Sequence, residues 1–210
     1  MSSIARDTTN CQQIIQNEKN IFNEFKQTFN TKQWLLHKLE TVNTDLFLMS
    51  QGRHLGLSCR LIDWTASYDV ASYFASFDER NVDVDGCIWS MLLPSDYFSN
   101  TKYTKYSPLQ DSTDVLRVVK EDCLVDNSID FPEPLRRQFS QRGYFAYTNN
   151  DNICSPLNEL TLENIEIQLV CTITPKTKKG IKKRLQHMEK YLSNIRPNET
   201  VLTINNKYLI

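Results

Sequence analysis

The chain is short of the features that usually announce a function. Its six cysteines, Cys11, Cys59, Cys87, Cys123, Cys154 and Cys171, never fall into a Cys-x-x-Cys spacing. That pattern argues against a zinc site and against a disulfide framework, and leaves free, mostly buried thiols as the expectation. The three histidines, His37, His54 and His187, are too dispersed for a metal motif. No Gly-x-Ser-x-Gly and no Gly-x-x-x-x-Gly-Lys occurs, so a serine-hydrolase elbow and a phosphate-binding loop are both missing. No run approaches the roughly 18 apolar residues of a membrane span, and no apolar leader follows a basic start. We therefore expect no membrane association and a cytoplasmic location. The net charge of −1 gives no whole-molecule attraction to polyanions.

What is present is the composition of an ordinary globular protein, 40% hydrophobic and 23% charged over 210 residues. That length suits a single domain with a sizeable core. Ile14, Ile21, Phe22, Phe25 and Phe29 recur at helical spacing and predict an amphipathic helix over 10–29. Trp34, Leu35 and Leu39 suggest a further short helix. Another is expected from Thr44, as N-cap, to Leu55, with Gly56 in a left-handed position at its end. Strands are expected over 59–65, 87–93, 144–148 and 165–174, and helices over 67–77, 134–143 and from Pro175 onward. Residues 115–119 read as either strand or helix. The class is α+β, a single domain with a small mixed sheet and packed helices.

The densest cluster of polar groups in an apolar setting runs from Arg53 to Thr65, Arg-His-Leu-Gly-Leu-Ser-Cys-Arg-Leu-Ile-Asp-Trp-Thr. His54 would sit at a helix C-terminus, where the dipole stabilises an imidazolium; it is a candidate acid or base, or a structural hydrogen-bonding group. Arg60 and Asp63, three apart in an expected strand, would face opposite sides and need separate partners. They read either as buried anchors or as ligand-binding groups, an arginine being well shaped for phosphate. Cys59 lies beside Arg60, a neighbour that can lower a thiol pKa. Lys176, Lys178, Lys179, Lys182, Lys183 and Arg184 form a basic cluster without interleaved aromatics, which reads as a solvated helix face and does not favour nucleic acid.

The block resembles the FRG domain, in which it runs approximately Gln-His-Tyr-Gly-Leu-Pro-Thr-Arg-Leu-Leu-Asp-Trp-Thr. His54, Gly56, Leu57, Arg60, Leu61, Asp63, Trp64 and Thr65 match; Arg53, Ser58 and Cys59 depart from it. A second block of the family, approximately Arg-Ile-x-Ala-Gln-x-Gly-x-Phe, is similar to Arg137, Gln141, Gly143 and Phe145. The Phe-Arg-Gly tripeptide of the family is absent, so residues 1–210 read as an FRG-like domain that is N-terminally incomplete.

The stretch from Arg60 to Phe77 also bears a distant resemblance to a unit of the ADP-ribosyltransferase fold. These resemblances imply a nucleotide-handling protein, taking NAD or another nucleotide, of a kind found in bacterial or phage defence. They imply a cleft in which Arg60, Asp63, Trp64, Thr65, Tyr68, Arg137 and Gln141 bind ligand and His54 and Gln141 are the catalytic candidates. Gln141 can hydrogen-bond a ribose hydroxyl but cannot supply the negative charge that stabilises an oxocarbenium ion. The alternative is a non-enzymatic module that binds a small molecule or a protein partner. No metal is implied.

Overall fold

The computed structural model describes residue 5 and residues 10–28, 43–77, 81–99, 105–121 and 143–193. Four helices and five strands occur among them: α1 (Cys11–Thr28), α2 (Thr44–His54), β1 (Ile62–Thr65), α3 (Tyr68–Phe77), β2 (Gly86–Leu92), β3 (Leu116–Lys120), β4 (Gly143–Thr148), β5 (Glu166–Ile173) and α4 (Pro175–Ser193). The class is α+β, as expected. The helices expected around Trp34 and after Pro134 lie outside the described residues.

Among the described residues the strands do not join into one mixed sheet. Among the described residues they form a three-stranded sheet of order β1-β4-β3 and a two-stranded sheet of β2 and β5, with every pairing antiparallel. The sequence carries the strand positions but not their partners, because partner choice is made by contacts far apart along the chain. β4 is the central strand of the first sheet, pairing Asp63 with Phe145 on one side and Val119 with Phe145 on the other.

Side chains alternate across a strand, so each face of this sheet can be read from the register. Leu61, Val119, Phe145 and Tyr147 form one buried cluster with Phe22 of α1 and Leu46, Phe47 and Met49 of α2. The opposite face carries Leu116, Val118 and Ala146, packed with Leu157 and against Ile62, Trp64, Met91 and Ile167. The sheet is thus a layer between the N-terminal helices and the β2–β5 ribbon. On the far side of the ribbon, Ala75 of α3 packs with Ile88 and Ile173, and Tyr73 with Leu185 of α4. The small Ala75 allows this helix to approach the strands closely.

Local chemistry explains the helix ends. The N-cap of α2 is Asn43 rather than Thr44: its side chain accepts from the Asp45 and Leu46 N–H groups. Asp45 is in the first turn, and its carboxylate also receives Lys26 at 3.2 Å and the Ser107 hydroxyl at 2.9 Å. At the other end Gly56 has φ 98°. The Leu57 N–H reaches the Gly52 carbonyl at 2.8 Å and the Gly56 N–H the Arg53 carbonyl at 3.2 Å, the paired bonds of a Schellman termination. The chain leaves α2 sharply and enters β1.

The basic cluster on α4 needs one correction. Lys178 is buried and its Nζ donates to the Asn81 carbonyl at 2.9 Å, so it pins the loop before β2 instead of facing water. Lys176, Lys179, Lys183 and Arg184 are exposed, in keeping with a solvated face.

Candidate functional site at the end of α2

The reversal at Gly56 brings the last turn of α2 alongside β1, and the sheet register carries β3 and β4 to the same place. Thr65 pairs with Gly143, and the Glu121 N–H donates to the Gly143 carbonyl at 3.0 Å. Glu121 therefore follows β3 on the face that α2 covers.

Two ion pairs occupy this face. Arg53 donates from Nε at 2.8 Å and from an Nη at 2.6 Å to a single Asp63 oxygen. His54 Nε2 meets a Glu121 oxygen, and both side chains are largely withdrawn from solvent. Burial opposes charging the imidazole. The Glu121 carboxylate and its hydrogen bond outweigh that, with Asp63 acting in the same sense and Arg53 against it, so the His54 pKa lies above its ordinary value. Phe145 closes the site edge-on, its ring 5.9 Å from the imidazole. Arg53, His54, Asp63 and Glu121 thus share one electrostatic neighbourhood.

Arg60 belongs to a separate network. It precedes β1 instead of lying within a longer strand, so the alternation expected between Arg60 and Asp63 does not apply. Its guanidinium points toward α1, where Glu18 accepts the Arg60 backbone N–H at 2.7 Å and Nε at 2.7 Å and lies 2.6 Å from an Nη. The other Nη donates to Asn150 Oδ1 at 3.1 Å and the Thr148 carbonyl at 3.4 Å. Both side chains of the Arg60–Glu18 pair are fully buried. In this arrangement Arg60 anchors α1 to the end of β4.

The remaining candidates line the exit from β1. Trp64 is half-buried on the opposite sheet face, and its indole N–H has no hydrogen-bond partner among the described residues. Thr65 Oγ1 accepts the Ser67 N–H at 3.0 Å, shaping the turn into α3. Tyr68 opens that helix with 63% of its surface exposed. Arg137 and Gln141 lie outside the described residues. Cys59 is fully buried and its thiol is pushed up to about 12 by that burial, which makes it inert as a nucleophile at neutral pH.

Three residues of this arrangement carried no signal in the sequence. Glu18 is one acidic residue in a polar stretch of α1, Glu121 follows an ambiguous segment, and Arg53 appeared only as a departure from the family block. Gly143 offers an indirect trace of Glu121. A Cβ at position 143 would lie 1.9 Å from a Glu121 carboxylate oxygen, so a glycine there keeps the space in which the carboxylate rests.

Among the described residues no cluster of histidine, cysteine, aspartate and glutamate could hold a metal ion, and no helix is long and apolar enough to cross a membrane. No curated protein and no solved structure matches the chain. The family model of the FRG domain matches residues 1–83, the part that supplies α1, α2, β1 and α3 with Glu18, Arg53, His54, Arg60 and Asp63, and over that span the chain is similar to the FRG domain family.

Proposed function

We propose that the end of α2, β1 and Glu121 form a nucleotide-handling site of ADP-ribosyltransferase-like character, taking NAD or another nucleotide. The observation that supports this most is the buried His54–Glu121 pair beside Arg53–Asp63. It joins a residue of the family-like block to a carboxylate far along the chain. Glu121 offers the negative charge that Gln141 lacks, and an imidazolium held by it can donate to a ribose hydroxyl. Tyr68 supplies an exposed ring at the adjoining turn. NAD would contribute a glycosidic bond to nicotinamide that a nearby carboxylate makes easier to break. Arg137 and Gln141 complete the proposed ligand set from the second block.

The pairing of β1 with β4 supports treating the whole chain as one FRG-like unit, because the family-matched part obtains its neighbour strand from residues 143–148. The setting we infer from the resemblance is cytoplasmic, in bacterial or phage defence. A second reading, a non-catalytic binding module, is favoured by the mutual neutralisation of the three ion pairs, which leaves each carboxylate already engaged.

A thermal-shift screen of the full chain against NAD, ADP-ribose and adenine nucleotides tests both. A ligand at 100 times its Kd adds about 2.7 kcal/mol of stability. Nicotinamide release that Glu121→Gln abolishes supports the enzyme. A shift without turnover supports the binding module, and no shift with any of these ligands refutes the nucleotide site.

A further inference from the structure

We propose that Cys11 and Cys154 are a redox pair, which a hydroperoxide joins into a disulfide that clamps the start of α1 to the turn after β4. Cys11 is the first residue of α1, and Cys154 follows the short 3-10 turn Asn150–Asn152 and Ile153. Both pack on the same small cluster of Ala5, Ile14 and Ile153. Their thiols are hydrogen-bonded to each other. Each is reduced and partly exposed, so a small oxidant can reach the pair, whereas Cys59 is sealed in the core.

The pair sits where a crosslink would matter. Glu18 lies seven residues beyond Cys11, about two helical turns along α1, and Asn150 lies in the turn just before Cys154. Both are partners of Arg60. A bond between Cys11 and Cys154 therefore ties together the two sides of the network that holds the family-like block in place. It would also close a very long loop of the chain, the arrangement that most restricts the unfolded state.

The chemistry balances with the hydroperoxide as sole oxidant. With hydrogen peroxide, the Cys11 sulfur attacks one oxygen, the O–O bond breaks, and the other oxygen leaves with the Cys11 proton as water, giving a sulfenic acid. The Cys154 sulfur then attacks the Cys11 sulfur, the S–O bond breaks, and the hydroxyl leaves with the Cys154 proton as a second water. Two thiols lose two electrons and the peroxide gains them. The Cys154 thiol is pushed up to about 11 by burial and by the hydrogen bond to Cys11, so it remains the proton donor at neutral pH and the reaction quickens in alkali.

The test treats the full chain with hydrogen peroxide, then measures thiols in denaturant, intact mass, a non-reducing peptide map and the melting temperature. The expected result is a loss of two thiols and two hydrogens per chain, a Cys11–Cys154 peptide, and a Tm rise of about 5 °C or more that dithiothreitol reverses. Cys11→Ser and Cys154→Ser should each prevent the crosslink. A map that joins other cysteines, oxygen addition without hydrogen loss, or a crosslink that lowers Tm would overturn the proposal.

Discussion

Removing Glu18 is the sharpest test of how the family-like block is held. In wild type its two oxygens take the Arg60 backbone N–H and Nε, each at 2.7 Å, and approach an Nη at 2.6 Å, with both side chains fully buried. Glu18→Ala leaves a guanidinium inside the protein with only the Asn150 and Thr148 oxygens as neutral acceptors. Breaking one half of a buried pair typically costs about 3–5 kcal/mol. The orphaned Arg60 backbone N–H adds to that, at about 1–3 kcal/mol for an unsatisfied buried donor. Because the two losses share one site they do not add fully, and we expect about 4–5 kcal/mol in total. Glu18→Gln keeps one acceptor oxygen and should cost less. The double change Glu18→Leu with Arg60→Met removes both charges and should recover much of the loss. Urea unfolding followed by tryptophan fluorescence reads all four proteins. A Glu18→Ala cost under about 1 kcal/mol, the size of an exposed pair, would refute the anchor.

Three further outcomes follow from the site. The His54 pKa lies above its ordinary value, so its pairing stabilises the fold fully below the unfolded imidazole pKa of about 6.5 and loses that stabilisation as pH rises through the folded value. The stability difference between wild type and His54→Gln should thus shrink from mildly acid to alkaline pH; a pH-independent difference would contradict the pairing. Gly143→Ala places a Cβ against the Glu121 carboxylate, and the His54 pKa measured by NMR should fall toward its ordinary value as the carboxylate is displaced. Gly56→Val sets a β-branched residue at φ 98° and should cost more than the roughly 1–2 kcal/mol of an ordinary L-residue there, a denaturant midpoint close to wild type being the contrary result.

Local order was legible from the chain because local order has local causes. The stripe of Ile14, Phe22 and Phe25 describes α1 within a residue or two, and Ile14 and Phe22 are indeed buried. The demand for a left-handed residue at Gly56 follows from the helix end beside it, and the alternation in 166–173 and Pro175 mark β5 and the start of α4. Even here neighbours within one turn compete: Asn43, whose side-chain oxygen accepts from the Asp45 and Leu46 N–H groups, holds the cap expected of Thr44. The block from His54 to Thr65 stood out because charged groups in an apolar stretch must find partners.

Which partners they find was settled only in three dimensions. Arg60 could have turned toward a cleft or into the core, and it turned to Glu18 because α1 packs across the start of β1, a contact between residues 42 apart in sequence. His54 meets Glu121 across 67 residues because β4 lies between β1 and β3 and brings the end of β3 under α2. The sequence by itself therefore determined that these charges had to be buried together with something of opposite sign, since an isolated ion in an apolar stretch is too costly. Only the tertiary structure decided the counter-ion, because strand order and helix placement are chosen by the whole core and leave no mark beside the residues they pair.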